Sequence, residues 1–315
     1  MEKGWILVTG GAGFIGSNLC ELLEEKSLDV VVADDFSKGS TKNLVDFGGI
    51  VKRVDITDAN QVKRLFRKYD FSHVIHLAAF TSLQDSMIQP EKEVTTNVLG
   101  TINITKAAGD SGVERLVFSS SAAVYGNPET SPVTEEHPTE PESIYGISKL
   151  AGEKYIRLLL SGRSEYVILR FGNVYGKRQE VDLGGEGGVI PVFIHRIENN
   201  LPVELRGYGK AVRDYVNVRD IAEGIYLALD APQGTYNLAT KKGTDIETVW
   251  DTLAGCFGDR KLPTAEKTAL LHGEIEKMIL SSDKAEYVMK WGPKVDFKDG
   301  IKQTVDWYFN QKVDS

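Results

Sequence analysis

The chain has 315 residues, 41% hydrophobic and 26% charged, with a net charge of −8. That composition suits a globular α/β unit with an appended lobe and offers no basic field to nucleic acid or an anionic membrane. The two cysteines, Cys20 and Cys256, are isolated and fit no metal or redox spacing, so no metal site is expected.

The N-terminus runs straight into a strand, without a signal-peptide pattern or an apolar run of bilayer length, so a cytoplasmic protein is expected. Trp5 to Thr9 reads as a buried parallel strand. Gly10, Gly13 and Gly16 follow, and then a helical pattern with Phe14, Ile15, Leu19, Leu22 and Leu23 on one side. Strand, glycine turn and helix are the context of a dinucleotide fingerprint, here spaced G-x-x-G-x-x-G. Gly10 permits the tight turn, Gly13 lets backbone approach a pyrophosphate, and Gly16 lets helix and strand pack closely. The free N–H groups of the helix N-terminus face the phosphates. A glycine-rich turn with no ligand is the bland alternative, and the next strand argues against it. Val30 to Ala33 ends in Asp34 and Asp35, where a carboxylate accepts hydrogen bonds from the adenosine ribose and repels a 2′-phosphate. NAD is therefore favoured over NADP, although Lys38 and Lys42 weaken the preference. Ile50 to Val54 reads as a third strand, with Asp55 and Ile56 on the adenine side. Asp58 is placed to cap a helix reaching about Tyr69. His73 to Ala79 reads as a fourth strand ending in small residues suited to close contact with a cofactor; His73 and His76 read as packed histidines.

Pro90 to Ala108 reads as one long helix carrying Asn97, whose amide either bridges backbone near the site or is solvated. Glu114 to Ser119 is a fifth strand, with Ser121 at its carboxyl end, where ligands bind in open α/β sheets. A serine-rich structural turn is the competing reading. Asn127 to Glu140 is a proline-bracketed loop, and Pro141 is expected to open the helix bearing Tyr145 and Lys149. Four residues apart on a helix, these two side chains share a face. An ammonium beside a phenol lowers its pKa, and a serine hydroxyl nearby can bond the reacting oxygen, which makes a device for taking a proton from an alcohol. Such spacing alone is common on helix surfaces, so the case rests on its surroundings. Glu165 to Leu169 is a sixth strand, and the alternation predicts a Rossmann-like doubly wound parallel sheet. Residues 182–188 are glycine-rich, Val189 to Glu198 is an amphipathic helix, and Leu201 to Val216 reads as a short hairpin. Within it, Arg213 can clamp a phosphate or pair with Asp214 or Asp220. Helices near 244–257 and 283–290 and an amphipathic tail from Phe297 to Phe309 complete a smaller lobe.

In this order, the motifs resemble an extended short-chain dehydrogenase/reductase of the nucleotide-sugar type, from Trp5 to about Tyr308. The resemblance rests on Gly10/Gly13/Gly16, Asp34, Ser121 before Val124-Tyr125-Gly126, Tyr145/Lys149, Arg170-Phe-Gly-Asn173-Val-Tyr-Gly176 and Arg213-Asp-Tyr-Val216. It is nearest to the UDP-glucose 4-epimerases and their UDP-uronate and UDP-N-acetylhexosamine counterparts. It implies an NAD-binding unit over 1–172, rejoined by about 212–240, and a nucleotide-sugar-binding lobe over 173–315. It implies catalysis by Ser121, Tyr145 and Lys149 on a nucleotide-diphosphate sugar, and a homodimer. Cofactor contacts are then expected from Gly10, Gly13, Phe14, Ile15 and Gly16, and from Asp34, Asp35, Phe36 and Ser37. Further contacts are expected from Asp55, Ile56, Leu77, Ala78, Ala79, Asn97, Ser119, Phe171 and Val174. Substrate contacts are expected from Thr81, Asn173, Gly188, Val189, Arg213 and Glu274. Nucleotide-sugar 4,6-dehydratases carry an Asp-Glu pair after the serine; here Ala122 and Ala123 stand there, which disfavours dehydration. Relatives usually carry Arg-Pro-Gly-Asp/Glu where this chain has Leu271-His272-Gly273-Glu274. A net dehydrogenase, a uronate decarboxylase and a dinucleotide-sensing protein remain as alternatives.

Overall fold

Short β-branched runs, flanked by glycine turns and helical patterns, set up a parallel sheet. The computed structural model describes residues 4–81, 88–181, 188–270 and 275–310. In chain order β1 is Trp5–Thr9, β2 Val30–Asp34, β3 Ile50–Arg53, β4 Phe71–His76, β5 Arg115–Ser121 and β6 Glu165–Phe171. A seventh strand, β11 (Gly234–Leu238), returns from far along the chain to pair with β6. Together these seven form the main sheet in the order β11-β6-β5-β4-β1-β2-β3, every pairing parallel.

Helix α1 (Phe14–Glu25) covers one face, together with α7 (Val218–Leu227), and Leu19, Leu23, Ile221 and Ile225 share a core with Val8 and Val32. Ala285 and Met289 of the short helix α9 (Asp283–Met289) join that core. The other face carries α2 (Ala59–Lys68), α4 (Gly100–Asp110) and α5 (Ile144–Leu159) over Val31, Val74 and Phe118. Asp58 caps α2, accepting from Asn60 N at 2.8 Å and Gln61 N at 3.2 Å. A third core gathers Ile190, Phe193, Trp250, Ile301 and Val305 from α6 (Val189–Glu198), α8 (Ile246–Ala254) and α10 (Phe297–Asn310).

Four sequence expectations are corrected. Strand β4 ends at His76, because its neighbour β1 ends at Thr9 and leaves Leu77 to Ala79 without a ladder. The helix from Pro90 is not uniform: α3 (Pro90–Glu93) passes into a π-helical stretch, Val94–Leu99, before α4. Pro141 does not open α5. Ser143 caps it instead, its Oγ accepting from Gly146 N at 3.0 Å. The hairpin over 201–216 is absent. Its strands take distant partners: β8 (Val203–Leu205) pairs with β13 (Ala265–Lys267), β9 (Val212–Arg213) with β12 (Thr244–Asp245) and β14 (Lys277–Met278), and β10 (Tyr215–Asn217) with β7 (Asn173–Tyr175). Among the described residues no helix is long and apolar enough to cross a membrane, and no cluster of three His, Cys, Asp or Glu side chains could hold a metal.

Candidate active site

A cleft of about 460 Å³ opens at the carboxyl ends of β1, β2, β4 and β5, the position expected of a ligand site in an open α/β sheet. Gly10 starts the turn at φ +70°, and a Cβ there would lie 2.7 Å from Ala78 N. A Cβ on Gly16 would lie 2.1 Å from Gly10 O, so only glycine lets α1 begin against the turn. The turn therefore presents bare backbone and the N-terminus of α1 to the cleft. At the end of β2, Asp34 accepts from Ala12 N at 2.9 Å through Oδ2 and from Phe36 N at 2.8 Å through Oδ1. Burial pushes its carboxyl pKa up, and these two N–H groups oppose the rise. Each oxygen keeps a lone pair for a further donor, such as a ribose hydroxyl. This donor set, with the uncovered glycine cradle, fits a dinucleotide.

At the other end of the cleft, Lys149 is buried and donates from Nζ to Ser119 O at 2.8 Å. Its ammonium sits 5.6 Å from the Tyr145 ring centroid and 5.1 Å from that of Phe118. Burial pulls the Lys149 pKa down to about 8, opposed by the charge of Glu93. Ser121 ends β5, and its Oγ accepts from Ala123 N at 3.1 Å, which leaves the O–H to donate. A Cβ on Gly146 would lie 2.5 Å from Ala123 O; glycine there lets the start of α5, with Tyr145, abut the turn that follows Ser121. A carbonyl-anchored ammonium beside a phenol, with a serine near, is an arrangement for moving a proton on and off an alcohol.

Gly10, Gly13, Phe14, Ile15 and Gly16 line the cleft, as do Asp34, Asp35, Ser37, Asp55 and Ile56. Leu77, Ala78, Ala79, Thr81, Ser119, Tyr145, Lys149, Phe171 and Val174 line it as well. Phe36 does not; it packs against the core on the α1 side of the sheet, and its backbone N–H donates to Asp34. Asn97 is buried behind the wall, bonding Phe80 N at 2.7 Å and Phe80 O at 2.8 Å, so it holds the strand exit. Ser121, Asn173, Gly188, Val189 and Arg213 are not among the lining residues. Arg213 donates to Val212 O and Glu276 O, while Asp214 accepts from Thr240 and Lys241, so these neighbours do not pair. Glu274, with Leu271 to Gly273, lies outside the described residues.

The sequence reading missed one wall of the cleft, Arg178 to Val181. Arg178 takes φ +66° and donates to Ser17 O and Glu21 on α1, and the Tyr308 hydroxyl donates to Gln179 O. Non-periodic and stitched to α1 and α10 by long-range bonds, this stretch carries no local signal beyond its basic pair Lys177-Arg178.

The model of the NAD dependent epimerase/dehydratase family matches residues 6–239. The chain belongs to that family. A UDP-glucose 4-epimerase of Mycolicibacterium smegmatis is 33% identical over 317 residues, spanning 97% of this chain and 98% of that protein. Among solved structures, the Thermus thermophilus UDP-glucose 4-epimerase complexed with NAD superposes with TM-score 0.90 at 39% identity, over 97% of this chain and 99% of that one. The Thermotoga maritima UDP-glucose 4-epimerase with UDP-glucose gives TM-score 0.91 at 33% identity, over 98% and 99%.

Proposed function

We propose that this family member is an NAD-dependent nucleotide-sugar 4-epimerase of the UDP-glucose/UDP-galactose type. The observation that carries the reading is the buried Lys149 ammonium held between Ser119 O and the Tyr145 ring, at the wall of a cleft floored by the glycine turn and Asp34. Full-length similarity to UDP-glucose 4-epimerases, one solved with NAD and one with UDP-glucose, supports it.

NAD, when bound, supplies hydride transfer to and from the sugar carbon. Tyr145 takes the proton of the C4 hydroxyl and later returns one. Lys149 favours the phenolate by its charge, and Ser121 donates to the C4 oxygen as it becomes a carbonyl. With Ala122 and Ala123 after Ser121, no acid or base stands there to eliminate water. The glycine turn and Asp34 hold the cofactor, and Asn173, Gly188, Val189 and Arg213 are assigned to the nucleotide sugar. In this reading residues 1–172, with about 212–240, form the cofactor unit; β11 in the main sheet and α7 on α1 support that division. A homodimer through α5 and the adjacent helical stretch of about 90–108 is part of the proposal, supported by the exposed apolar side chains Leu99, Ile147 and Leu158.

The test is incubation with NAD and a panel of UDP-hexoses and UDP-uronates, with products read by chromatography. Interconversion at C4 without net NADH is expected, and Tyr145→Phe is expected to keep NAD bound while losing turnover. Net NADH accumulation or carbon dioxide release would replace the epimerase reading with a dehydrogenase or a decarboxylase.

A further inference from the structure

Behind the Tyr145 wall lies a carboxylate that the mechanism above does not use. Glu93 ends α3 and is fully buried, at 0% exposure. Its Oε1 accepts from Ser148 Oγ at 2.7 Å and from Asn97 Nδ2 at 2.5 Å. Its Oε2 is buried with no hydrogen-bond donor among the described residues. Ser148 adjoins Lys149 in the chain, and its Oγ also lies 2.9 Å from Tyr145 O. Directly after Glu93 the helix widens into the π stretch Val94–Leu99, which puts Thr96 on the cleft and turns Asn97 back to Phe80. Such π turns gather at functional sites because they cost regular helical bonding.

A buried carboxylate with a spare oxygen is costly unless a cation compensates it. The cation whose charge acts on Glu93 is Lys149, next in the chain to the Ser148 that bonds Glu93 Oε1. The titratable groups facing Lys149 are Glu93 from α3, Tyr145 from its own helix and His76 from β4. Burial holds the His76 pKa down to about 3, so that ring is neutral at working pH. Burial raises the Glu93 pKa, and its bonds from Ser148 and Asn97 and the charge of Lys149 all favour the carboxylate.

We propose that Glu93 is a positioning residue: through Ser148 and Asn97 it fixes the start of α5, and by its charge it keeps Lys149 an ammonium beside Tyr145. The inference rests on the Tyr145–Lys149 chemistry proposed above. Its sign is definite. Removing the negative charge lets Lys149 lose its proton at lower pH, so Tyr145 loses its cationic neighbour sooner as pH rises.

The experiment is a carbon-13 NMR titration of the full chain labelled at the lysine ε-carbons, with Lys149→Met assigning the Lys149 signal. Glu93→Gln keeps an acceptor for Ser148 and Asn97 and removes only the charge. Its Lys149 midpoint is expected about one pH unit below wild type. The alkaline limb of kcat for UDP-hexose epimerisation is expected to move down with it, and Glu93→Asp to restore most of the shift. An unmoved midpoint in folded Glu93→Gln overturns the proposal, since a purely structural role leaves it in place. Should that variant not fold, glutamate δ-carbon titration of the wild-type chain decides. Glu93 ionised throughout the range in which Lys149 titrates supports the proposal, and a protonated Glu93 overturns it. Both titrations are read without turnover, so failure of the epimerase reading is seen separately in the wild-type product assay.

Discussion

Replacing Arg170 by Met should destabilise the protein far more than loss of a surface ion pair. Arg170 on β6 donates to Glu153 on α5 through Nε at 2.9 Å and Nη2 at 2.7 Å. Their side chains are only 5% and 2% exposed, so solvent screens little of the pair. Ser120 donates to the same carboxylate at 2.6 Å, between Ser119, whose carbonyl anchors Lys149, and Ser121. Without the guanidinium, Glu153 keeps the Ser120 hydroxyl and, as a cation among the described residues, only Arg157 at 3.7 Å, whose side chain is 39% exposed. A buried charge stripped of its partner costs about 3–5 kcal/mol, a large share of the roughly 5–15 kcal/mol that holds a domain together. At about 2 °C per kcal/mol for a chain of this size, Tm should fall by about 6–10 °C. The measurement is a thermal melt at fixed NAD concentration. Replacing the pair together, Glu153→Leu with Arg170→Met, should regain most of the loss, because apolar packing substitutes well for a buried pair. A drop of less than about 2 °C in the single variant, or a double variant no better than the single, would refute the reasoning.

Three further outcomes follow from the same geometry. His76 is fully buried between Thr9 at 2.7 Å and Thr101 at 3.0 Å, and burial lowers its pKa from 6.5 to about 3. The unfolded chain therefore takes up this proton first as pH falls, so stability present above the unfolded pKa drops by about 1.4 kcal/mol per pH unit below it. His76→Gln should flatten that part of the slope in urea midpoints measured at neutral and mildly acidic pH, and identical slopes would contradict the assignment. Gly16→Ala forces a Cβ to 2.1 Å from Gly10 O, so the turn must open; NAD affinity by calorimetry should fall at least about tenfold, or 1.4 kcal/mol, and wild-type affinity would refute the cradle. Leu158 is 76% exposed on α5, and Leu158→Asp with Ile147→Asp should shift the proposed homodimer toward monomer in sedimentation, a wild-type distribution counting against that face.

What the chain announces by itself is local. The glycine turn, the acid at the end of β2 and the Tyr145/Lys149 spacing are legible because each depends on a few consecutive residues and on helix or strand periodicity. The six sequential strands of the sheet are legible because each pairs according to one repeating crossover pattern. The rest depends on partners far apart. Val203 to Leu205 looks like half of a hairpin, yet its ladder lies at Ala265 to Lys267, and nothing within the segment encodes that choice. Arg178 to Val181 wall the cleft because Glu21, Ser17 and Tyr308 hold them there. Glu93 reads as one more surface acid at the start of a helix until folding buries it against Ser148 and within the field of Lys149. Periodicity can report which side of an element is apolar, but only the packed chain decides which charges lose their water together.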